Sequence, residues 1–130
     1  MGVPLGVLIV EDSEDDALMV VRELKRAGYV LDFKRVDDSD ALRASLAAQP
    51  WDLIVSDFSM PRFSGTDALK LVRSARSEAP FIFISGTMVD DTAVSALKDG
   101  AQDYVLKTNL KRLVPAVQRE LREVEQRRQR

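Results

Sequence analysis

A chain of 130 residues is the size of one domain, and this one has neither cysteine nor histidine, which excludes disulfides, thiol chemistry, a conventional zinc site and a histidine base. Its net charge of −2 sets up no field that would recruit nucleic acid. No apolar run approaches the ~20 residues that cross a bilayer, and residues 1–6 lack the basic start and long apolar stretch of a secretory signal. A cytoplasmic protein without membrane insertion is expected.

Strand-like runs begin near residues 7, 31, 53, 81 and 104, with room for one helix between each pair. That alternation indicates βαβ crossovers and a parallel sheet. Val7-Leu8-Ile9-Val10 is continuously apolar, as a strand covered on both faces should be. Ser13, with Asp16 three residues on, reads as a capping box opening the first helix. Ala17, Leu18, Val21 and Leu24 supply its apolar stripe, and Gly28 ends it.

Leu31-Asp32-Phe33-Lys34-Arg35-Val36 mixes polar residues into its run and suits an edge strand. Ser39 is placed to cap a second helix through Ala41, Leu42 and Leu46 that stops before Pro50. After Leu53-Ile54-Val55-Ser56, a third helix is expected over 65–77 with Ala68, Leu69 and Val72 inward. Phe81-Ile82-Phe83-Ile84 follows, then a fourth helix capped by Asp90 or Asp91 and closed by Gly100, then Tyr104-Val105-Leu106.

In the last helix, Leu110, Leu113, Val117, Leu121 and Val124 recur at helical steps, but Pro115 falls inside the pattern. Proline lacks a donor and clashes with the preceding turn. Residues 109–114 are therefore expected to form a separate turn, or the helix to bend there. From 115 to 130 there is no stop signal; such a helix continues into a linker and another domain, or frays. Arg119, Arg122, Arg127, Arg128 and Arg130 read as a solvated helix face, because Glu120, Glu123 and Glu125 interleave with them. This argues against a nucleic-acid arm.

Each of four strand runs ends in a polar residue of a different kind: Glu11-Asp12, Asp57, Ser85 and Lys107. In an open parallel sheet these ends meet at the carboxyl edge, where ligands bind. Three carboxylates, a hydroxyl and an ammonium at one place suit a divalent metal and a phosphoryl group. Oxygen-only ligands favour magnesium, typically held by one or two carboxylates plus phosphate. Glu11 and Asp12 could instead serve only the helix dipole, which accounts well for Glu14, Asp15 and Asp16. It accounts poorly for Asp57, since an acid ending a central apolar strand is costly unless paired. Lys107 suits either a phosphoryl group or a structural bridge to Asp57. Ser85 has no histidine to activate it as a nucleophile; alone it would be a turn residue, and Gly86 beside it leaves an open backbone amide.

Residues 7–127 resemble a two-component response-regulator receiver domain. The resemblance rests on Val7-Leu8-Ile9-Val10-Glu11-Asp12, Ser56-Asp57-Phe58-Ser59-Met60-Pro61 with Gly65, Ile84-Ser85-Gly86-Thr87, and Asp103-Tyr104-Val105-Leu106-Lys107. It implies an α/β, flavodoxin-like, doubly wound parallel sheet of five strands in the order 2-1-3-4-5 with five helices, residues 1–130 forming a single receiver domain. It further implies that Asp57 accepts a phosphoryl group from a kinase phosphohistidine. Glu11, Asp12, Asp57 and the Ser59 carbonyl would bind Mg2+, while Lys107, Ser85 and the Gly86 amide would hold phosphoryl oxygens. Ser59 and Thr87 occupy positions that tune phosphoryl lifetime in relatives. Tyr104 would turn inward on phosphorylation and remodel the face made by the fourth helix, fifth strand and fifth helix; alternatively it is an edge-strand aromatic packed on the last helix.

Two features qualify the resemblance. Many receivers place a cis-proline after the lysine, whereas Thr108 follows Lys107 here; a non-proline cis bond costs ~2.5–4 kcal/mol, so a trans bond or a strained loop is expected. Phe81 to Thr87 and Leu113 to Val117 look most like receivers joined to sensory and kinase modules. The implied partners are a histidine kinase or phosphotransfer protein and an output module in cis or trans, with a dimer through the last helix as a further expectation. The implied role is a switch, not a conventional enzyme. Two rival readings stay open: an aspartyl-phosphate phosphohydrolase, disfavoured because Ser59 stands where that chemistry wants a second acid, and an unphosphorylated pseudo-receiver that only binds partners.

Overall fold

β1 (Val3–Val10) begins four residues before the apolar run that signals it, because Val3 to Gly6 continue the ladder against β2 (Tyr29–Val36). The computed structural model describes residues 2–86, 95 and 97–129. With β3 (Leu53–Asp57), β4 (Phe81–Ser85) and β5 (Asp103–Leu106), the strands form one parallel sheet in the order β2-β1-β3-β4-β5. This is the expected order, with the polar-interrupted strand at an edge.

The α-helices are α1 (Glu14–Arg26), α2 (Ser39–Ala48), α3 (Gly65–Ser74) and α4 (Leu113–Arg128). Four helices rather than five are thus present among the described residues. The expected fourth, with its cap at Asp90 or Asp91, lies outside the described residues, except that Ser95, Leu97 and Lys98 are helical and the Asp99 N–H donates to the Ser95 carbonyl before Gly100. The helix expected to be fifth is therefore α4.

The pleat sorts the core into two layers, since alternate strand residues face opposite sides. Val7, Ile9, Leu53, Val55, Ile82, Ile84 and Val105 pack with Ala17, Val20, Val21 and Leu24 of α1 and Leu113, Ala116 and Val117 of α4. Leu8, Val10, Ile54, Phe81, Phe83 and Tyr104 pack on the other side with Leu42 of α2 and Ala68, Leu69 and Val72 of α3. The central strands β3 and β4 are buried throughout, as their unbroken apolar runs require.

Local signals explain most boundaries. Ser13 Oγ accepts from the Asp16 N–H at 3.2 Å, the forward half of a capping box. The reverse half is missing, because the Asp16 carboxylate is turned to Lys107. The second helix is capped one residue earlier than the sequence suggested: Asp38 Oδ1 accepts from the Ala41 N–H at 2.7 Å, and Ser39 is the first helical residue. Asp is as good a cap as Ser, and its charge also meets the helix dipole. α3 stops at Ser74, three residues short of expectation, where the Arg73 side chain gathers the Ser77 and Ala79 carbonyls.

Pro115 does not break α4. Lys107–Arg112 is a separate 3-10 segment with a non-helical residue at Asn109, and Pro115 lies in the first turn of α4. A missing N–H is harmless there, since first-turn donors have no intrahelical acceptor. The Lys107–Thr108 bond is trans.

Candidate functional site

The register brings the strand ends together. Val10 pairs with Ser56, Asp57 with Ile84, and Ser85 with Leu106, so Glu11, Asp57, Ser85 and Lys107 emerge along one edge of the sheet. Glu11, Asp57 and Lys107 also share a parity. They continue the alternations Val7-Ile9, Leu53-Val55 and Val105, all on the side covered by α1 and α4.

Glu11 is fully buried, Asp57 is 6% exposed, and Asp12 is exposed. One carboxylate oxygen from each lies within 4.8 Å of the others. Glu11 Oε1 accepts from the Ser13 N–H at 3.1 Å. Glu11 Oε2 is buried, and Lys107 Nζ, 2.9 Å away, is its one ion-pair partner among the described residues. Asp57 Oδ1 receives the Ser59 N–H at 3.4 Å, and Asp57 Oδ2 lies 3.6 Å from Lys107 Nζ.

Lys107 makes its shortest contact with a residue the sequence reading assigned only to the capping box and dipole of the first helix: Asp16 Oδ2, at 2.6 Å. The signal was present but indirect. Asp16 stands at the third position of α1, the helix that covers the side of the sheet where Glu11, Asp57 and Lys107 emerge.

These contacts set the charge states. Burial pushes Glu11 up from its ordinary 4.5 to about 7, against the opposing pull of Lys107 and the Ser13 N–H. Burial also raises Asp57, with Lys107 and the Ser59 N–H pulling it back only in part. Burial works to lower Lys107, but its contacts with Asp16 and Glu11 outweigh that and hold the ammonium above the ordinary lysine range.

The donor set fits a hard divalent cation. Magnesium takes oxygen ligands and keeps several waters; here three carboxylates converge, the two buried ones beside a single lysine, and the Asp12 side is open to solvent. The same crowding strains the metal-free protein. Replacing exposed Asp12 by Ala should stabilise that form by only about 0.5 kcal/mol, whereas Glu11→Gln should stabilise it more at pH 8. The sign follows from linkage: a carboxyl raised from 4.5 to about 7 gives stability that is present below pH 4.5 and lost as pH rises through 7. Wild-type metal-free stability should therefore fall by on the order of 2 kcal/mol between pH 5 and pH 8. Denaturant titrations across that range should show the slope in wild type and not in Glu11→Gln; a slope kept in the variant would locate the strain elsewhere.

Of the remaining predicted residues, Ser85 is buried at the end of β4, and Gly86 is exposed just after it. Thr87 lies outside the described residues. Ser59 is exposed beside Asp57. Tyr104 is buried and inward already, 5.5 Å ring to ring from Phe58, which stacks edge-on against Phe83 at 5.1 Å. It does not pack on the last helix: Tyr104 belongs to the layer on the α3 side, and the core residues of α4 to the opposite one. Phe58, to which the sequence reading gave no role, directly follows Asp57 and so links the end of β3 to Tyr104.

The C-terminal arginines are not simply a solvated face either. Arg119 pairs with Asp103 and Glu120, and Arg112 pairs with Asp103 and donates to the Tyr104 carbonyl. Burial works to raise Asp103, but Arg112, the Tyr104 N–H and Arg119 outweigh it and hold the carboxyl below its usual range. No helix among the described residues is long and apolar enough to cross a membrane.

Comparison with known proteins agrees with this geometry. The nitrogen assimilation regulatory protein NtrX of Azorhizobium caulinodans is 34% identical over 126 residues, covering 95% of this chain but 27% of that protein. The chain therefore spans only a fraction of its relative's length. Full-length FixJ from B. japonicum superposes with a TM-score of 0.80 at 25% identity, covering 93% of this chain and 59% of that one. The receiver domain of a Pseudomonas aeruginosa sensor histidine kinase, solved with magnesium in its active-site cleft, shares the fold with a TM-score of 0.73 at 24% identity, over 93% of this chain and 98% of that one. The sequence profile of the response regulator receiver domain matches residues 7–118, and with the sheet order and the acidic edge in place, this chain belongs to that family.

Proposed function

We propose that Asp57 is the phosphoacceptor of this receiver domain, taking a phosphoryl group from a phosphohistidine with Mg2+ bound by Glu11, Asp12 and Asp57. The observation that carries it is the meeting of a buried aspartate, two further acids and a lysine at the carboxyl edge of a parallel sheet. In the transfer, a carboxylate oxygen of Asp57 attacks phosphorus in line, the P–N bond breaks as the P–O bond forms, and the imidazole keeps the electron pair and takes up a proton. The metal would spread the equatorial charge of the transferring group. Ser59 N–H steadies Asp57 Oδ1, which leaves Oδ2, on the Lys107 side, to react. Lys107 and Ser85 stand at neighbouring strand ends to receive phosphoryl oxygens, and the Gly86 amide, exposed beyond Ser85, offers a third contact.

The proposed partners are a histidine kinase or phosphotransfer protein and an output module, consistent with relatives much longer than this chain. The output would read the face that includes β5, where Arg112 ties the Tyr104 backbone to the start of α4. The phosphohydrolase and pseudo-receiver readings draw no support from the relatives, which are response regulators.

Intact mass after incubation with acetyl phosphate and Mg2+ tests this reading. A phosphate-sized gain that needs Mg2+ and vanishes in Asp57→Asn is expected. No gain, together with no binding of beryllium fluoride, would sink it.

A further inference from the structure

Lys107 is committed elsewhere before any phosphoryl group arrives. Its Nζ lies 2.6 Å from Asp16 Oδ2 and 2.9 Å from Glu11 Oε2, against 3.6 Å from Asp57 Oδ2. Resting on the phosphoacceptor reading above, we propose that Asp16 is a positioning residue that holds Lys107 back from Asp57, so that a phosphoryl group must draw the ammonium away from it.

Asp16 is built for that role. Its backbone is fixed by the Ser13 cap, and its side chain is only partly exposed, at 32%. The contact is therefore less screened than a surface ion pair. An ammonium is a compact point charge on a flexible stem with three donors, so it swings between acceptors without rebuilding the fold. A phosphoryl group brings about two negative charges and strong acceptor oxygens. It competes for the donor that now faces Asp16, and the stability of the Asp16–Lys107 contact is subtracted from the Lys107–phosphoryl contact. The neighbouring acids Glu14 and Asp15 are exposed, and among the described residues the ion pairs of Lys107 are with Glu11, Asp16 and Asp57. They carry the same charge without the same reach.

Asp16→Asn keeps the size and the backbone cap while removing the carboxylate. Binding of beryllium fluoride in excess Mg2+, followed by calorimetry, should tighten about five- to tenfold in Asp16→Asn. Asp15→Asn, an equal change of charge one residue away, should change it less than twofold. In a Lys107→Met background, Asp16→Asn should have no effect, because the residue acts through the lysine. Apparent Mg2+ affinity measured without beryllium fluoride reports whether the change lies in the metal site instead; it should be similar in the Asp15 and Asp16 variants. Equal tightening by Asp15→Asn, unchanged or weaker binding by Asp16→Asn, or a full effect without Lys107 would each overturn the inference while leaving the phosphoacceptor reading intact. A wild-type protein that binds no beryllium fluoride would remove both.

Discussion

Gly65→Ala is expected to unfold in urea with a loss of roughly 3 kcal/mol and to accept phosphate from acetyl phosphate at a clearly lower rate than wild type. A Cβ at Gly65 would stand 2.5 Å from the Asp57 carbonyl oxygen, 2.7 Å from Phe83 Cε1 and 2.9 Å from the Phe58 Cα. Two of these three are backbone atoms and cannot swing aside. The Gly65 N–H also donates to the Phe58 carbonyl, so α3 begins directly against the turn that follows Asp57. Relief must move the backbone of Asp57 or Phe58, or lift α3 from the turn that follows the proposed phosphoacceptor. Wild-type stability in the variant would mean that α3 can shift as a unit at no cost.

Lys107→Met is expected to lose about 3 kcal/mol in the metal-free state at pH 8, because a buried acid cluster then loses its cation. Glu11 is fully buried and Asp57 nearly so, and no other cation pairs with either among the described residues. Without Lys107 only the Ser13 N–H opposes burial at Glu11, and its carboxyl rises further. The deficit should therefore shrink on acidification to pH 5, where Glu11 takes up a proton, and shrink also on adding Mg2+. Urea titrations at the two pH values, with and without Mg2+, would check this. A loss that is the same at pH 5 and pH 8 would mean that Lys107 contributes packing of its stem rather than neutralisation.

Much of the molecule was legible in the residues. Continuous apolar runs announced the central strands because both of their faces are covered, and the polar interruptions of Leu31 to Val36 announced an edge strand. The acid pair, Asp57, Ser85 and Lys107 were visible because an ionisable or polar residue ending a buried strand has no cheap structural explanation. The misplaced details have physical causes. Asp38 rather than Ser39 caps α2 because two adjacent residues are nearly equal caps, so local propensity does not choose between them. Val3 to Gly6 joined β1 because pairing with β2 recruits residues that have little intrinsic strand signal.

The sequence by itself determined the order of chemistry along the chain: acids at the ends of β1 and β3, a hydroxyl at the end of β4, an ammonium just beyond β5. It did so because burial penalties and the period-2 pleat act locally. Only the tertiary structure decided which groups share Lys107. That choice depends on α1 lying over the same side of the sheet as Glu11, Asp57 and Lys107, which sets Asp16 and Lys107, 91 residues apart in sequence, at 2.6 Å. It likewise placed Tyr104 against Phe58 rather than on α4, since the pleat sends neighbouring residues of β5 into opposite layers.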